Sequence, residues 1–191
     1  MLSRPVPGSE PGNLIIRLAN RADAAAISAL HAVCWHQTYG DLLPEEMLVT
    51  VTGESRLPAR YRLLADASVI CFVATSNMDI VGFADCGPYR EAGQECQGEV
   101  YALYVLQSFH DRRVGLRLLS RCARALAGRG CNSMHLWCLE GNARARRFYT
   151  STGGQLLGRR ASVRGSTILD EVEYQWDLAG MNGLAMVEQG G

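Results

Sequence analysis

The chain has 191 residues, of which 48% are hydrophobic and 20% are charged, and its formal net charge is zero. This length predicts one domain with a substantial core, or one domain with tails. All nineteen basic residues are arginines, which excludes a lysine Schiff base and a GK[ST] phosphate-binding loop. No apolar run approaches the roughly 20 residues of a membrane span, and the neutral charge disfavours a nucleic-acid-binding protein.

The two ends of the chain differ in composition from the rest. Residues 1–13 are rich in Pro, Gly and Ser and lack the apolar segment of a signal peptide, so we expect a disordered leader and a cytoplasmic location. Residues 179–191 are expected to be a flexible tail, which leaves 14–178 as a single domain. The seven cysteines lack metal-ligand spacing, so we expect reduced core thiols and no metal site.

Apolar periodicity and turn residues predict alternating helices and strands along this domain. A helix with Ile27 and Leu30 on one face is expected to end near Gly40. A short helix is expected from Pro44, and another helical segment after Pro58. The predicted strands are 14–18, 68–75, 80–86, 100–105, 134–138, 155–160 and 168–178, and the two further helices are 114–126 and 143–151.

The most informative stretch runs from residue 99 to residue 126. Its first part, 100–105, is an apolar and aromatic run without a turn residue, which indicates a strand buried on both faces. A short connector leads to Arg112, Arg113 and Gly115, where a helix begins. This geometry points unpaired backbone N–H groups at an anion, so the sequence predicts a diphosphate cradle. The next strand is expected to lie parallel to the first, because the crossover runs through a helix.

Charge is unevenly distributed along the chain despite the zero total. Residues 110–130 and 140–164 are rich in arginine, whereas acidic residues concentrate around 41–54, 85–99 and 170–177. A basic side and an acidic side suggest an anionic ligand that meets a cationic one. The alternative is two solvated faces of ordinary helices and loops, which composition alone slightly favours.

Three local motifs carry a family resemblance. Segment 110–115 (HDRRVG) partly matches Q/R-x-x-G-x-G/A, with His110 and Arg113 in place of Gln/Arg and the first glycine. Segment 142–149 (NARARRFY) matches N-x-x-A-x-x-F-Y fully, and segment 35–44 (WHQTYGDLLP) resembles an acceptor-side helix–loop–helix. With these motifs in this order, the chain resembles the GNAT superfamily of acetyl-CoA-dependent N-acetyltransferases from about residue 14 to 178.

This resemblance implies an α/β, GNAT-like fold. Its central, mostly antiparallel twisted sheet would have six or seven strands, with a splayed parallel pair at the centre and about four flanking helices. It also implies acetyl-CoA as co-substrate, with the pantetheine arm between the splayed strands and the thioester carbonyl on the backbone N–H of Tyr104 or Val105. The residues expected to bind the cofactor are Leu103, Tyr104, Val105, His110, Asp111, Arg112, Arg113, Val114, Gly115, Leu116, Asn142 and Phe148.

Some of these side chains have an alternative role. The arginines at 112 and 113 either bind the phosphates or are simply solvated. Asn142 either binds the pantetheine or caps the following helix. Leu103, Tyr104 and Val105 are expected to act through their main chain, because such side chains are more often part of a core.

The resemblance also assigns the proton transfers. Tyr149 matches the tyrosine that donates a proton to the departing CoA thiolate, a role that suits a phenol because it stays protonated at neutral pH. Glu99 opens the central strand, where some members carry a catalytic glutamate that accepts the amine proton, directly or through water. An equally supported alternative is that Glu99 merely attracts a cationic acceptor.

The acceptor itself is less well defined. Trp35 and Tyr39 are expected to line its site, and His36 is a further candidate base, although all three residue types are more often structural. The acceptor would be a primary amine of a small molecule or a protein or peptide, with a cationic one suggested by the acidic clusters. A catalytically silent acyl-CoA-binding sensor is the alternative function. No nucleic-acid or membrane partner is expected, and a homodimer is left open.

Overall fold

The computed structural model describes residues 13–91, 96–164 and 167–179. The predicted leader and tail lie outside these residues, apart from Asn13 and Ala179. No helix in the described ranges is both long enough and apolar enough to cross a membrane.

The described chain alternates helices and strands in the predicted order. The strands are β1 Ile15–Leu18, β2 Ile70–Ser76, β3 Asp79–Pro88, β4 Gln97–Val105, β5 Ser133–Leu139, β6 Gln155–Arg164 and β7 Thr167–Asp177. The α-helices are α1 Ala24–Tyr39, α2 Glu45–Leu48, α3 Gly53–Ala65, α4 Val114–Gly128 and α5 Ala143–Ser151, and 3₁₀ turns cover Arg21–Asp23 and Gln107–Phe109.

The seven strands form one sheet in the order β1-β2-β3-β4-β5-β7-β6. All neighbouring strands are antiparallel except β4 and β5, which are parallel and are joined through α4. The predicted GNAT-like α/β fold, with a mixed sheet and a parallel central pair, is therefore confirmed. The helix count exceeds the expected four because α2 is a separate single turn.

The parallel pair is short. β4 and β5 are paired only from Gln97 opposite Ser133 to Glu99 opposite His135. On its other edge, by contrast, β4 stays paired with β3 as far as Val105. The two central strands therefore diverge after Glu99 and His135, and we call this last paired position the apex of the splay.

Helices cover both faces of the sheet. Helix α4 packs across β2, β3, β4 and β5 on one face, whereas α1 and α3 contact the first strands on the other. Side chains two positions apart on a strand share a face of the sheet. On β5, Met134 and Leu136 belong to the large core under α4. His135 and Trp137 therefore project from the opposite face.

Helix α3 begins earlier than the sequence predicts. It starts at Gly53 rather than after Pro58, which lies inside it. A capping box explains the earlier start, because the Thr52 side chain accepts from the Ser55 N–H while the Ser55 side chain accepts from the Thr52 N–H. Strands β3 and β4 are also longer than the predicted strands 80–86 and 100–105, since their pairing extends as far as Pro88 and Gly98.

A buried ion pair joins helix α3 to the sheet. Arg60 Nη1 lies 2.6 Å from Asp85 Oδ1, and the two side chains are only 5% and 2% exposed. The guanidinium also lies over the Phe83 ring at 4.7 Å from its centroid. Removing one member of such a pair leaves an uncompensated buried charge.

We therefore expect Arg60→Met to lower the free energy of unfolding by about 3–5 kcal/mol, measured by chemical denaturation. The control is Arg144→Met, which breaks the exposed pair between Arg144 and Asp111 and is expected to cost less than about 1 kcal/mol. Equal effects of the two substitutions would contradict this interpretation.

Candidate active site

A cleft of about 910 Å³ opens where β4 and β5 diverge. One wall is formed by β4 residues 100–105, and the other by β5 residues 136–138. The first turn of α4 closes one end, and the inner face of α5 closes the side. The cleft is therefore a direct consequence of the splayed strands.

Main-chain groups of β4 are left without a strand partner inside this cleft. Beyond Glu99 the edge of β4 that faces β5 has no ladder to join, because the two strands diverge there. Buried backbone N–H and C=O groups need a hydrogen-bond partner. Leu103 and the N–H of Val105 therefore present free backbone groups that an extended, amide-containing ligand could bind, whereas Tyr104 pairs with Phe83 of β3 and the Val105 carbonyl with His110.

Unpartnered amides also lie at the start of α4. The first bond of this helix runs from Arg117 N to Arg113 O, so the N–H groups of Val114, Gly115 and Leu116 precede the hydrogen-bonded turns. Among the described residues, no carbonyl or side chain accepts from the amides of 112–116. The positive end of the helix dipole adds to them, so the site suits an anion.

The turn before α4 contains two residues in the left-handed region. Asp111 has φ 63°, and Arg113, which caps the helix, has φ 58° and ψ 11°. The motif position of the first glycine thus does require a positive φ in this chain, and an arginine adopts it at a cost of about 1–2 kcal/mol. The Arg113 residue lines the cleft, whereas the Arg112 guanidinium lies over the Phe109 ring, 5.1 Å from its centroid.

His110 ties this turn to the end of β4. Its Nε2 lies 3.0 Å from the Val105 carbonyl oxygen, so Nε2–H donates and Nδ1 carries the lone pair. Gly115 brings the turn close to α5, because a Cβ at this position would stand 3.4 Å from the Phe148 ring. The two motifs that are 30 residues apart in sequence are therefore in contact.

Asn142 caps helix α5. Its Oδ1 accepts a hydrogen bond from the Ala145 N–H at 3.0 Å, and the residue also lines the cleft. The cap is one of the two roles that the sequence predicts. It occupies the side-chain oxygen, and so the amide N–H₂ group is the part of Asn142 that could bind a ligand.

Tyr149 faces the cleft from the same helix. It is only 6% exposed, it lines the cleft, and its hydroxyl has no hydrogen-bond partner in the described ranges. Burial raises the pKa of Tyr149 well above its ordinary value, with a smaller contribution from the neighbouring Cys138. A proton on this phenol is therefore held firmly at neutral pH.

Glu99 occupies the apex rather than the wall of the cleft. It is 2% exposed, its Oε1 is bound by Arg90 Nη2, and its Oε2 accepts from Arg90 Nε at 3.0 Å and from the Arg90 backbone N–H at 3.1 Å. The structure thus does not bring this carboxylate to the cleft lining, where Tyr149 lies. Its role as base stays a prediction.

Aromatic side chains form the side of the cleft next to α1. Tyr39 lines it and lies 3.5 Å from the Tyr104 hydroxyl, oxygen to oxygen. Trp35 does not line it but packs behind Tyr39, with 4.5 Å between ring centroids. His31 packs on Tyr104 at 4.7 Å, and burial lowers its pKa to about 3, so this imidazole is neutral.

Several residues of the cleft lining were not predicted from the sequence, among them three on the central strands. Tyr101 and Trp137 line the opening on its two strands, and Cys138 lies beside Trp137. Burial raises the pKa of Cys138 to about 12, so it is a protonated thiol. Trp137 could have been found from the sequence, because side chains alternate between the two faces along β5 and the core positions identify which residues point to the opposite face.

Most of the predicted site residues meet in one place. Four predicted residues do not line the cleft, namely Trp35, His36, Glu99 and Arg112. Those that line it are Tyr39, Leu103, Tyr104, Val105, His110, Asp111, Arg113, Val114, Gly115, Leu116, Asn142, Phe148 and Tyr149.

Comparison with known proteins identifies the family. Residues 27–153, which are more than half of the chain, match the sequence model of the acetyltransferase (GNAT) family. The chain therefore belongs to the GNAT acetyltransferases, and acetyl-CoA is the co-substrate of this family.

Individual relatives are distant. The chain is 28% identical over 153 residues to a probable N-acetyltransferase, Rv2775, of Mycobacterium tuberculosis, covering 78% of this chain and 84% of the relative. It is 29% identical over 128 residues to the uncharacterized N-acetyltransferase YuaI of Bacillus subtilis, covering 66% and 72%. Its fold is similar to that of yncA from Salmonella typhimurium, solved with acetyl-CoA, with a TM-score of 0.68 and 24% identity over 87% of this chain and 94% of that one.

The left-handed residue before α4 allows a direct test of the turn. We expect Arg113→Gly to raise the free energy of unfolding by up to about 1 kcal/mol, because glycine adopts this φ without strain. The matched control is Arg112→Gly, whose φ is not positive and which should lower stability by about 0.5–1 kcal/mol. Chemical denaturation measures both, and the same sign for the two variants would contradict the assignment.

Proposed function

We propose that this protein transfers the acetyl group of acetyl-CoA to a primary amine of a small molecule or a peptide by direct attack. The observation that carries the proposal is that one cleft joins free amides at the start of α4, free main-chain groups of β4 and the unpartnered Tyr149 hydroxyl. Each of these groups has its own part in the reaction.

The cofactor would lie along the cleft from α4 to the apex. The amides of 113–116 bind the diphosphate at the positive end of the helix. Arg113 adds charge there, and Arg144 and Arg147 also line this part of the cleft. The pantetheine arm takes the place of β5 beside residues 103–105, and a backbone N–H of β4 polarises the thioester carbonyl.

Tyr149 is the proposed acid. The nitrogen of the neutral amine forms a bond to the acetyl carbon, the carbon–sulfur bond breaks, and Tyr149 gives its proton to the CoA sulfur. Its raised pKa favours the protonated form that this step needs. Cys138 stands close by, but its own raised pKa makes it a poor nucleophile, which favours direct attack by the amine.

We propose that a base at the apex takes the proton of the amine. Glu99 is the residue that the sequence predicts for this role. A cationic acceptor, a cytoplasmic location and a homodimer also remain predictions. The sensor alternative has no specific observation in its favour, since the Tyr149 hydroxyl has no hydrogen-bond partner among the described residues and the residue lines the cleft. Thiol release from acetyl-CoA with a panel of amines tests the function, and binding of CoA with no turnover on any amine would contradict it.

We expect Tyr149→Phe to lower kcat about 100-fold while leaving the dissociation constant of acetyl-CoA unchanged, because it removes only the proton donor. The control is Tyr174→Phe, whose ring packs on Tyr149 at 5.6 Å but does not line the cleft. Because burial raises the pKa of Tyr149, wild-type kcat should also show no alkaline loss from this group below about pH 10. Wild-type activity in the variant would rule out Tyr149 as the acid.

The predicted role of Glu99 has its own test. If this carboxylate is the base, Glu99→Gln lowers kcat about 100-fold at unchanged affinity for acetyl-CoA. If it only attracts the acceptor, the substitution raises KM for the amine and leaves kcat nearly unchanged. Steady-state kinetics with a saturating cofactor separate the two results.

A further inference from the structure

A polar cluster lies at the apex of the splay, on the sheet face opposite α4. We call it the apex cluster, and its members are Tyr89, Ser133, His135 and Glu173. The Tyr89 hydroxyl donates to Glu173 Oε1 at 2.6 Å, and His135 Nδ1 lies 2.9 Å from the same oxygen. Ser133 Oγ lies 3.0 Å from His135 Nε2. Ser133, His135 and Glu173 are 6%, 2% and 6% exposed, so this is a buried network.

Glu173 differs from the other acidic side chains of this region in its partners. Its Oε1 is held by a phenol and an imidazole, and no arginine pairs with it among the described residues. A buried carboxylate without a fixed cation nearby is stabilised strongly by an added positive charge or by a proton, because nothing else offsets the cost of burying its charge. Five other carboxylates on or next to the strands are paired with an arginine, in the pairs Asp85–Arg60, Glu91–Arg160, Glu99–Arg90, Glu140–Arg159 and Glu171–Arg160, in which Arg160 serves two carboxylates.

The apex cluster keeps its hydrogen bonds in two protonation states. With a neutral His135, Nδ1–H donates to Glu173 and the lone pair of Nε2 accepts from the Ser133 hydroxyl. With a protonated His135, both ring nitrogens donate, and the Ser133 hydroxyl turns to accept from Nε2–H. A proton can therefore be added to the Glu173–His135 pair without breaking a bond, which is the behaviour of a group that takes up and releases protons.

The four members of the apex cluster do not line the cleft themselves, but they lie next to a residue that does. Glu173 is the cross-strand partner of Trp137, which lines the cleft, and partners of this kind have Cβ atoms about 5 Å apart. His135 precedes Trp137 by two positions on the same face, about 7 Å along the strand. The second carboxylate oxygen, Glu173 Oε2, has no hydrogen-bond partner in the described part of the chain, and the residue opposite it on β6 is Gly158, which has no side chain.

We propose that the Glu173–His135 pair binds the ammonium group of the acceptor and takes one of its protons, an inference that rests on the proposed acetyl transfer. The ammonium, R–NH₃⁺, gives one proton to the pair, directly or through a water molecule, and becomes the amine that forms the bond to the acetyl carbon. As the carbon–sulfur bond breaks, Tyr149 protonates the sulfur. The nitrogen then loses a second proton, which passes through solvent and restores the Tyr149 hydroxyl. The Glu173–His135 pair releases the proton that it took from the ammonium, so one proton is produced per acetyl group transferred.

Other charged groups face this pair. Tyr89 is its phenolic partner, Glu99 is the register partner of His135, and Arg90 and Arg160 carry the charges that neutralise Glu99 and Glu91. Burial, and then its bond to Glu173, raises the pKa of Tyr89, so this phenol remains a donor. Glu99 is already paired with Arg90, so this carboxylate adds no uncompensated charge to the apex.

The first test compares two glutamates on the same face of β7. We expect Glu173→Gln to lower kcat/KM about 100-fold with a cationic amine such as a polyamine, an aminoglycoside or a basic peptide. The acidic limb of its pH profile should disappear, and its affinity for acetyl-CoA should stay within about twofold. The control is Glu171→Gln, which removes a carboxylate that already has an arginine and should retain the profile.

A milder variant keeps the test valid if Glu173→Gln does not fold. Tyr89→Phe removes a donor to Oε1 and leaves Glu173 with the imidazole alone, which should change kcat/KM for the cationic amine and its pH profile without changing acetyl-CoA affinity. Wild-type kinetics and an unmoved limb in both variants would overturn the inference alone, and so would a loss of activity that only parallels a loss of stability and cofactor affinity. A wild-type protein that releases no thiol with any amine would instead contradict the proposed acetyl transfer, and this inference with it.

Discussion

The site depends on the separation of β4 from β5 after three paired positions. β4 continues along β3, and β5 continues along β7, so each strand is held on its outer edge while the two facing edges stay unpaired beyond Glu99 and His135. Backbone groups that a continuous sheet would satisfy are therefore left to a ligand. The cofactor of this family carries amides along its pantetheine arm, and it is suited to replace the missing ladder. Cleft, cofactor site and apex all follow from this one interruption in pairing.

The two ends of the cleft offer different kinds of binding groups. At the start of α4 the binding groups are main-chain amides in a strained turn, and Arg113 accepts a left-handed conformation to keep them in place. At the apex the groups are buried side chains whose charges are nearly all matched by arginines. Lysine is absent from the chain, and the planar guanidinium forms these matched pairs well. The exception is Glu173, which is why we assign it to the acceptor.

Much of this could be predicted from the sequence, for identifiable reasons. Local signals fixed the turn and α4, since a buried strand, a basic connector and a helical period follow one another without interruption. The motif of residues 142–149 placed Tyr149 on α5, and the structure places it in the cleft. The start of α3 was predicted wrongly, because Pro58 is typical of a helix start whereas the helix begins earlier, at the capping box of Thr52.

Pairings between distant strands could not be predicted in the same way. The contact of His135 with Glu173 joins residues 38 positions apart, and it depends on the register between β5 and β7, which no local pattern specifies. The same is true of Glu99, whose partner Arg90 lies on the segment after β3. The positive φ at Arg113 was likewise invisible, because an arginine gives no sign of the left-handed conformation that a glycine would.

The most direct test of the central claim is a titration of ¹⁵N-labelled protein with CoA, followed through backbone amide shifts. We predict large shifts at the amides of 113–116 and of 103–105, and shifts at 103–105 alone when pantetheine, which has no diphosphate, is added instead. If CoA left the amides of 113–116 unchanged, or if pantetheine moved them as much as CoA does, the account of this cleft would be contradicted.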